Sequence, residues 1–186
     1  MGSHHDASKL ERFEEQILVH LAALYRTGVR LTGSAADAED LVQETCLQAF
    51  RRFDQLKHPE AAKAWVFAIL RSVFLRQAGQ QVRQPDRLSL DDLDGAALAR
   101  ALGAEEASPV RQALLQEIRR ATLKLPVPYR ETLLLAHVGG FSYREMAHIL
   151  EVPLGTVMSR LFRARRMLRA SLTEPMGQPA PVEPER

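Results

Sequence analysis

The chain has few of the residues that build disulfide scaffolds, membrane spans or large aromatic cores. Among 186 residues there is one cysteine, Cys46, and one tryptophan, Trp65, and aromatic residues make up 6%. A single cysteine excludes an intrachain disulfide and is typical of a reducing compartment. No apolar run reaches the roughly 18 residues that a membrane helix needs. We therefore expect a cytoplasmic protein without membrane insertion.

The clusters of polar residues that support catalysis are also missing. No histidine pair has metal-ligand spacing on one helix, no glycine-rich loop is suited to phosphate, and Cys46 falls on an apolar face. The adjacent His4 and His5 make a poor metal site. We expect no catalytic residue, no metal, no cofactor and no small-molecule substrate, so the protein is predicted not to be an enzyme.

Positive charge comes almost entirely from arginine, with 21 arginines and 4 lysines. The net charge of +2 excludes a chain that is basic throughout, but the charges are segregated. Residues 157–170 carry five arginines and no acid, whereas residues 34–45 carry four acids and no base. The basic segment indicates a polyanionic partner, and the acidic segment indicates a basic protein surface.

Apolar spacing predicts an all-α fold, because no segment alternates as a strand would. We divide the chain into an N-terminal domain over residues 9–80, a linker over 81–109 and a C-terminal domain over 110–172. Residues 173–186 are rich in proline, and we expect them to be disordered. So long a connection between helices of one compact domain would be unusual, which favours two small domains and a flexible linker.

The N-terminal domain contains three predicted helical segments. Apolar residues at positions 17, 21, 24 and 25 predict a helix over 13–27, with a break at Gly33. A second helix is predicted from Ala38, capped by either Ser34 or Asp37. Its predicted core face consists of Val42, Cys46, Ala49, Phe50 and Phe53. The third helix, over residues 61–77, is apolar on most of its circumference, so it is predicted to be buried together with Trp65.

The C-terminal domain is predicted to contain a helix-turn-helix. A helix over 110–123 precedes a second that ends at Gly139 and Gly140. Ser142 and Glu145 then form a predicted capping box, which places a helix at about residues 143–150. After the turn, one stripe of the next helix is apolar and predicted to face inward: Val157, Leu161, Ala164 and Leu168. The outward side carries Gly155, Thr156, Ser159, Arg163 and Arg166, with Arg160 on its flank.

This outward side has the composition of a DNA recognition helix. Small residues allow close approach to the groove, hydroxyls bond phosphate or base edges, and arginines pair with guanine or phosphate. A solvated, arginine-rich helix face is the simpler alternative. The two start signals, the short turn and the apolar stripe together favour DNA binding.

The segment "LPVPYRETLLLAHVGGFSYREMAHILEVPLGTVMSRLFRARRMLR" resembles the C-terminal domain of bacterial RNA polymerase sigma factors of the extracytoplasmic-function (ECF) subgroup of the sigma-70 family. That family's pattern is roughly L-P-x-x-x-R, a glycine pair, S-x-x-E-x-A and G-T-V-x-S-R-x-x-R-A-R. The N-terminal segment "LYRTGVRLTGSAADAEDLVQETCLQAF" resembles the family's other domain. Together the two matches cover about two thirds of the chain, in the family's order.

The resemblance implies a transcription initiation factor that binds core RNA polymerase and directs it to specific promoters. The helix-turn-helix would read the minus-thirty-five duplex through Pro153, Leu154, Gly155, Thr156, Ser159, Arg160, Arg163 and Arg166. The residues implied in melting and binding the minus-ten element are Arg71, Ser72, Arg76 and Arg83. The polymerase would be bound by Asp37, Asp40, Gln43, Glu44 and Leu47. An anti-sigma factor is a further expected partner.

The chain departs from the family pattern at four positions. Ser72 and Arg76 stand where the family often has Asn and Asp, which changes the expected base preference at the minus-ten element. Glu151 and Pro153 stand in the turn where Gly and Ser are common. A left-handed backbone at Glu151 would cost about 1 kcal/mol, and the approach of the recognition helix to the groove is expected to differ.

Two alternatives to the sigma-factor interpretation remain at this point. A free-standing transcription regulator could carry the same helix-turn-helix with an N-terminal dimerisation domain, but it would not need the acidic segment at 37–44. A protein that only sequesters a partner would not need the arginine face. In the linker, Asp91, Asp92 and Asp94 fit either a mimic of nucleic-acid charge or a plain acidic tether.

Overall fold

The computed structural model describes residues 2–81 and 109–173, and every regular element within these ranges is helical. The predicted all-α class is therefore confirmed. The α-helices, in chain order, are α1 (Gly2–Gln16), α2 (Leu21–Thr32), α3 (Ala35–Arg52), α4 (Ala62–Gln81), α5 (Pro109–Leu123), α6 (Val127–Leu134), α7 (Tyr143–Leu150) and α8 (Leu154–Thr173). The part of the chain that the structure describes contains no helix long and apolar enough to cross a membrane.

The first helical segment is bent, whereas the apolar spacing predicts a single helix over 13–27. Helix α1 ends at Gln16, and a 3₁₀ turn over Leu18–His20 leads into α2. The bend changes which side of the segment faces the core. Ile17 and Leu24 are both fully buried, whereas Leu21 is exposed. Leu21 belongs to the predicted apolar stripe, and this part of the prediction is wrong.

A tight corner between α2 and α3 resolves which residue caps α3. Gly33 has φ +84°, the left-handed conformation that ends α2 at little cost for glycine. Ser34 Oγ then accepts a hydrogen bond from the Asp37 amide at 3.3 Å, so Ser34 is the cap. Helix α3 therefore begins at Ala35, three residues earlier than predicted. Phe50, predicted to lie in the core, is also partly exposed.

Helix α4 lies at the centre of the N-terminal half and is buried around most of its circumference, as predicted. Its fully or nearly fully buried residues include Val66, Phe67, Leu70 and Val73. Trp65 is only partly buried and packs on the edge of this core rather than within it. The burial of α4 fixes the positions of the polar side chains at 71, 72 and 76, which project from its remaining surface.

Helix α6 ends in a π-helical turn, Leu135–Gly139, followed by Gly140 with φ +62°. The predicted stop at the glycine pair is confirmed, and each glycine has its own reason. Gly140 supplies the left-handed conformation. A Cβ on Gly139 would lie 2.2 Å from Cε2 of Phe141, so only glycine allows that ring to turn back onto the chain.

The helix-turn-helix consists of α7, a three-residue turn and α8. The predicted capping box is present: Glu145 N donates to Ser142 Oγ at 3.3 Å, and Ser142 N donates to Glu145 Oε2 at 2.8 Å. Helix α7 ends in a Schellman motif, in which the Val152 amide donates to the Ala147 carbonyl at 3.1 Å. Glu151 has φ +52°, which confirms its left-handed backbone.

The N-terminal and C-terminal halves pack against each other. One continuous core contains residues of both, with α4 against α7 and α2 against α5, α6 and the π-helical turn. A second, smaller core lies between α6 and α8 and includes Leu133, Leu161 and Ala164. The helix-turn-helix is therefore held against the N-terminal half as well as against its own domain.

Candidate DNA-binding and polymerase-binding surfaces

Helix α8 presents the outward face predicted for it. Val157, Leu161 and Ala164 are buried, and Leu168 is partly buried, which confirms the inward stripe. Thr156 and Arg160 are partly buried. The rest of the predicted minus-thirty-five set is exposed: Pro153, Leu154, Gly155, Ser159, Arg163 and Arg166. The exposed arginines can reach a phosphate backbone or a guanine edge without rearrangement of α8.

An apolar stripe runs beside this basic face and was not predicted. Leu154, Met158 and Phe162 recur at intervals of four, and 53% of Met158 and 69% of Phe162 are exposed. The spacing was available in the sequence, but the arginines between these residues obscured it. Exposed apolar residues in such a row add a non-polar surface to the recognition helix.

The predicted minus-ten residues of α4 differ in their surroundings. Ser72 is exposed, and Arg83 lies outside the described residues. Arg76 is exposed and its Nη2 donates to Glu44 Oε1 at 3.1 Å. Arg71 is more buried than predicted, because its Nε lies 3.3 Å from Oε1 of Glu131 on α6.

Glu131 is a buried carboxylate that sequence reasoning missed. Burial raises the pKa of Glu131 above its ordinary value, while nearby Arg71, Arg160 and Arg130 act in the opposite direction. The Arg71 pair has an ion-pair distance but not the geometry of a hydrogen bond. No sequence signal could identify this pair, since its partners are 60 positions apart and belong to different halves.

The predicted polymerase-binding residues lie on the outer side of α3. Asp40, Gln43 and Leu47 are exposed, and 54% of the Leu47 surface is accessible. Asp37 and Glu44 are partly buried. Gln48 Nε2 donates to Glu44 Oε1 at 2.8 Å, and this hydrogen bond, with that from Arg76, lowers the pKa of Glu44.

These contacts link residues of different predicted sites. The Glu44–Arg76 pair joins the predicted polymerase-binding residues of α3 to the predicted minus-ten residues of α4. Glu131 pairs with Arg71 of the predicted minus-ten set at 3.3 Å, and the charge of Arg160 from the predicted minus-thirty-five set acts to lower the pKa of Glu131. An ion pair thus links the predicted surfaces on α3 and α4, and a second ion pair links α4 to α6.

Comparison with known families gives two matches in the same order as these surfaces. Sigma-70 region 2 matches residues 17–84, which include α2, α3 and α4. Sigma-70 region 4 matches residues 115–168, which include the helix-turn-helix. The matched segments therefore contain every surface described above.

Individual relatives agree with the family matches. The ECF RNA polymerase sigma factor EcfG of Rhodopseudomonas palustris strain TIE-1 is 35% identical over 164 residues, covering 87% of this chain and 86% of that protein. The ECF sigma factor SigE of Mycolicibacterium smegmatis is 30% identical over 179 residues, covering 94% of this chain and 67% of SigE.

Two solved structures are also similar. One is the sigma factor RpoE bound to the anti-sigma factor NepR from Bartonella quintana, with TM-score 0.68 and 29% identity over 88% of this chain and 98% of RpoE. The other is CnrH in complex with the cytosolic domain of CnrY, which at 24% identity and TM-score 0.59 over 86% of both chains shows a shared fold.

These matches define the class of protein as a sigma-70 transcription initiation factor, a class of factors rather than of known enzymes. The chain belongs to its ECF subgroup. It binds core RNA polymerase and directs it to specific promoters, reading the minus-thirty-five duplex and helping to melt the minus-ten element.

Proposed function

We propose that the minus-thirty-five element is read by the outward face of α8, from Pro153 to Arg166. The observation that carries this proposal is the division of α8 into a buried apolar stripe and an exposed face with Ser159, Arg163 and Arg166. Gly155 and Thr156 have small side chains, so the N-terminal end of the helix can enter the major groove.

The minus-ten element is assigned to α4 through Arg71, Ser72 and Arg76, together with Arg83 beyond the end of that helix. Ser72 is free to bond a base edge with one hydroxyl, whereas arginines at 71 and 76 suit the phosphates of an unpaired strand. Arg71 and Arg76 are each paired with a carboxylate in the free chain. DNA binding must therefore exchange those carboxylates for phosphates.

Core polymerase is assigned to the outer face of α3, through Asp37, Asp40, Gln43, Glu44 and Leu47. An exposed leucine among acidic and amide side chains fits a helical partner with basic residues around an apolar groove. These side chains share one side of α3, opposite the buried Leu41, Thr45 and Ala49. The surface is therefore available without disturbing the core.

The remaining features of the protein follow from this assignment. We divide the chain into the polymerase-binding and minus-ten domain over 9–80, a linker over 81–109 and the helix-turn-helix domain over 110–172. Catalysis belongs to the polymerase, and the protein acts in the cytoplasm. Because the sigma factor RpoE in the similar solved structure is in complex with the anti-sigma factor NepR, we assign an anti-sigma partner to this chain as well.

Run-off transcription with core polymerase on a library of genomic fragments tests the minus-thirty-five assignment. The wild-type protein is expected to select a promoter set, and footprinting gives its minus-thirty-five sequence. Arg163→Ala should weaken recognition by about 1–3 kcal/mol if the side chain pairs with a base, with relaxed preference at one position.

Arg165→Ala is the matched control, because each residue advances about 100° around the helix and position 165 faces a different side from 163. It should leave the selected sequence unchanged. Tight operator binding by the protein alone, with no transcript in the presence of core polymerase, would exclude the proposed function in favour of a free-standing regulator.

A further inference from the structure

Met158 and Phe162 are large apolar side chains that helix α8 exposes beside its arginines. The accessible fraction is 53% for Met158 and 69% for Phe162. With Leu154, which is 43% exposed, they recur at intervals of four and form one row along the helix. Exposure of such side chains forgoes the stabilisation that their burial would give, so the row is expected to serve an intermolecular contact.

The row lies well outside the packed side of α8. Val157, Leu161 and Ala164 face the core and are each at most 2% exposed. At about 100° per residue, Phe162 lies about 100° from Leu161 and about 160° from Ala164 around the helix axis. Met158 and Phe162 are therefore not needed for the packing of the helix-turn-helix, and a partner can reach them without any change in the fold.

The side chains around the row are basic. Arg163, Arg166 and Arg169 are exposed, and residues 157–170 contain no acid. In helical projection Arg166 and Arg169 lie on either side of Phe162, at about 40° and about 20° from it. Arginines around an apolar row fit a DNA groove, in which phosphates flank the edges of the bases. This charge complementarity selects DNA rather than protein as the occupant of the row.

The polar residues of α8 leave A·T pairs without a reader. Adenine is recognised by the paired donor and acceptor of asparagine or glutamine, and residues 154–173 contain neither. The Ser159 hydroxyl already donates to the Thr156 carbonyl at 3.0 Å. The exposed arginines pair with guanine or phosphate. Recognition of an A·T pair by α8 therefore has to come from an apolar contact.

Thymine offers such a contact. Its C5-methyl group projects into the major groove, where apolar side chains contact it. Every A·T pair carries one such methyl group, on one strand or the other. We propose that Met158 and Phe162 contact thymine methyl groups in the minus-thirty-five element and so select A·T pairs there. The inference rests on the proposed reading of that element by α8.

The helical spacing sets which thymines are contacted. A rise of about 1.5 Å per residue places Met158 and Phe162 about 6 Å apart along the axis of α8. That distance is roughly two base-pair steps of about 3.4 Å. Both residues lie in the first half of α8, the part of a recognition helix that contacts base edges. The two contacted base pairs are therefore expected within about two steps of each other.

Replacement of thymine by deoxyuridine in the promoter tests the contact, because it removes the methyl group and keeps every hydrogen-bonding group of the base. The probe is the promoter duplex that the wild-type protein and core polymerase select in run-off transcription. Each thymine of its minus-thirty-five element, on either strand, is replaced singly, and the affinity of the polymerase complex is measured by competition with labelled promoter. Replacement at one or two positions should weaken binding about fourfold, as the loss of one buried methyl group does. The same replacement in the spacer between the two elements should have no effect.

Phe162→Ala and Met158→Ala identify which side chain makes each contact. Each variant should abolish the effect of deoxyuridine at one position, so that the ratio of the affinities for thymine and deoxyuridine promoters falls from about four to about one. Both side chains are exposed, so the variants are expected to fold. Met167→Ala is the matched control, because Met167 is 37% exposed and lies about 180° around the axis from Met158. It should keep the full effect of deoxyuridine.

The outcomes separate this inference from the proposed function. If no deoxyuridine replacement in the minus-thirty-five element weakens binding, or if the effect persists in both variants, the thymine contact is excluded while promoter selection by α8 stands. If Phe162→Ala instead weakens assembly with core polymerase, the row is a protein contact and the inference is overturned. If the wild-type protein selects no promoter with core polymerase, the proposed function itself fails and the inference falls with it.

Discussion

Glu151 occupies a backbone conformation that residues with a Cβ seldom adopt, at the point where α7 turns toward α8. Its φ of +52° costs roughly 1–2 kcal/mol in an L-residue. The Schellman bonds from the Glu151 and Val152 amides hold the turn in place despite this cost. The strain lies two residues before Pro153 and three residues before Leu154, where α8 starts.

Glu151→Gly should stabilise the protein by up to about 1 kcal/mol, since relief of the left-handed strain exceeds the extra entropy of glycine in the unfolded chain. Urea unfolding at neutral pH measures the difference. Glu151→Ala is the control, because it removes the carboxylate and keeps the strain. A glycine variant less stable than the alanine variant would contradict this account.

At the scale of elements, α7 is a short helix whose start depends on one reciprocal pair. Ser142 and Glu145 satisfy each other's free amides, and Ser142 Oγ also donates to Glu145 Oε2 at 2.6 Å. These hydrogen bonds from Ser142 lower the pKa of Glu145. A carboxyl group whose pKa is lower in the folded than in the unfolded protein stabilises the fold at pH values above its unfolded pKa of about 4.3. It loses that contribution as the pH falls through the folded pKa.

Glu145→Gln should therefore destabilise the protein at pH 7, and the difference from wild type should shrink in acid. Ser142→Ala should cost about 1 kcal/mol at pH 7, as loss of a serine cap does. Urea unfolding of each variant at about pH 7 and pH 3 measures the change in the free energy of unfolding. Glu117→Gln is the control, because it neutralises an exposed carboxylate that caps no helix. A difference for Glu145→Gln that is equal at both pH values would rule out the ionised capping box.

At the scale of the whole molecule, two ion pairs involve residues of the proposed polymerase-binding and DNA-binding surfaces. Glu44 on α3 forms an ion pair with Arg76 on α4, and Glu131 on α6 forms an ion pair with Arg71 on α4. Under the proposed assignment, a phosphate that binds Arg71 or Arg76 replaces the carboxylate with which that arginine is paired.

Asp40→Lys should weaken assembly with core polymerase by about tenfold or more, because it puts a cation on a surface proposed to meet a basic partner. Affinity of the protein alone for duplex DNA should not fall. Fluorescence anisotropy with labelled core polymerase measures the first effect, and Glu15→Lys on the exposed side of α1 is the matched charge reversal. Unimpaired assembly of Asp40→Lys would contradict the docking role of α3.

Local signals in the sequence predicted most of the helices and their caps. The glycine pair, the Ser142–Glu145 box and the Val157–Leu161–Ala164 stripe act within a few residues of one another, so pattern alone is sufficient. The bend at 17–20 and the early start of α3 were missed. The bend depends on which side chains reach a core assembled from distant segments, and periodicity does not carry that information. At the start of α3, Ser34 and Asp37 were both suitable caps, and only the backbone at Gly33 and Ser34 selected Ser34.

The sequence by itself determined the all-α class, the helix-turn-helix and the division of charge between α3 and α8, because these follow from residue spacing and side-chain chemistry. Only the tertiary structure decided how the halves meet. Arg119 and Arg130 donate hydrogen bonds to backbone carbonyls at the C-terminal end of α2, and Arg71 forms an ion pair with Glu131. Carbonyl groups are the same in every residue, and ion pairs between distant positions leave no local pattern, so these contacts exist only once the chain has folded.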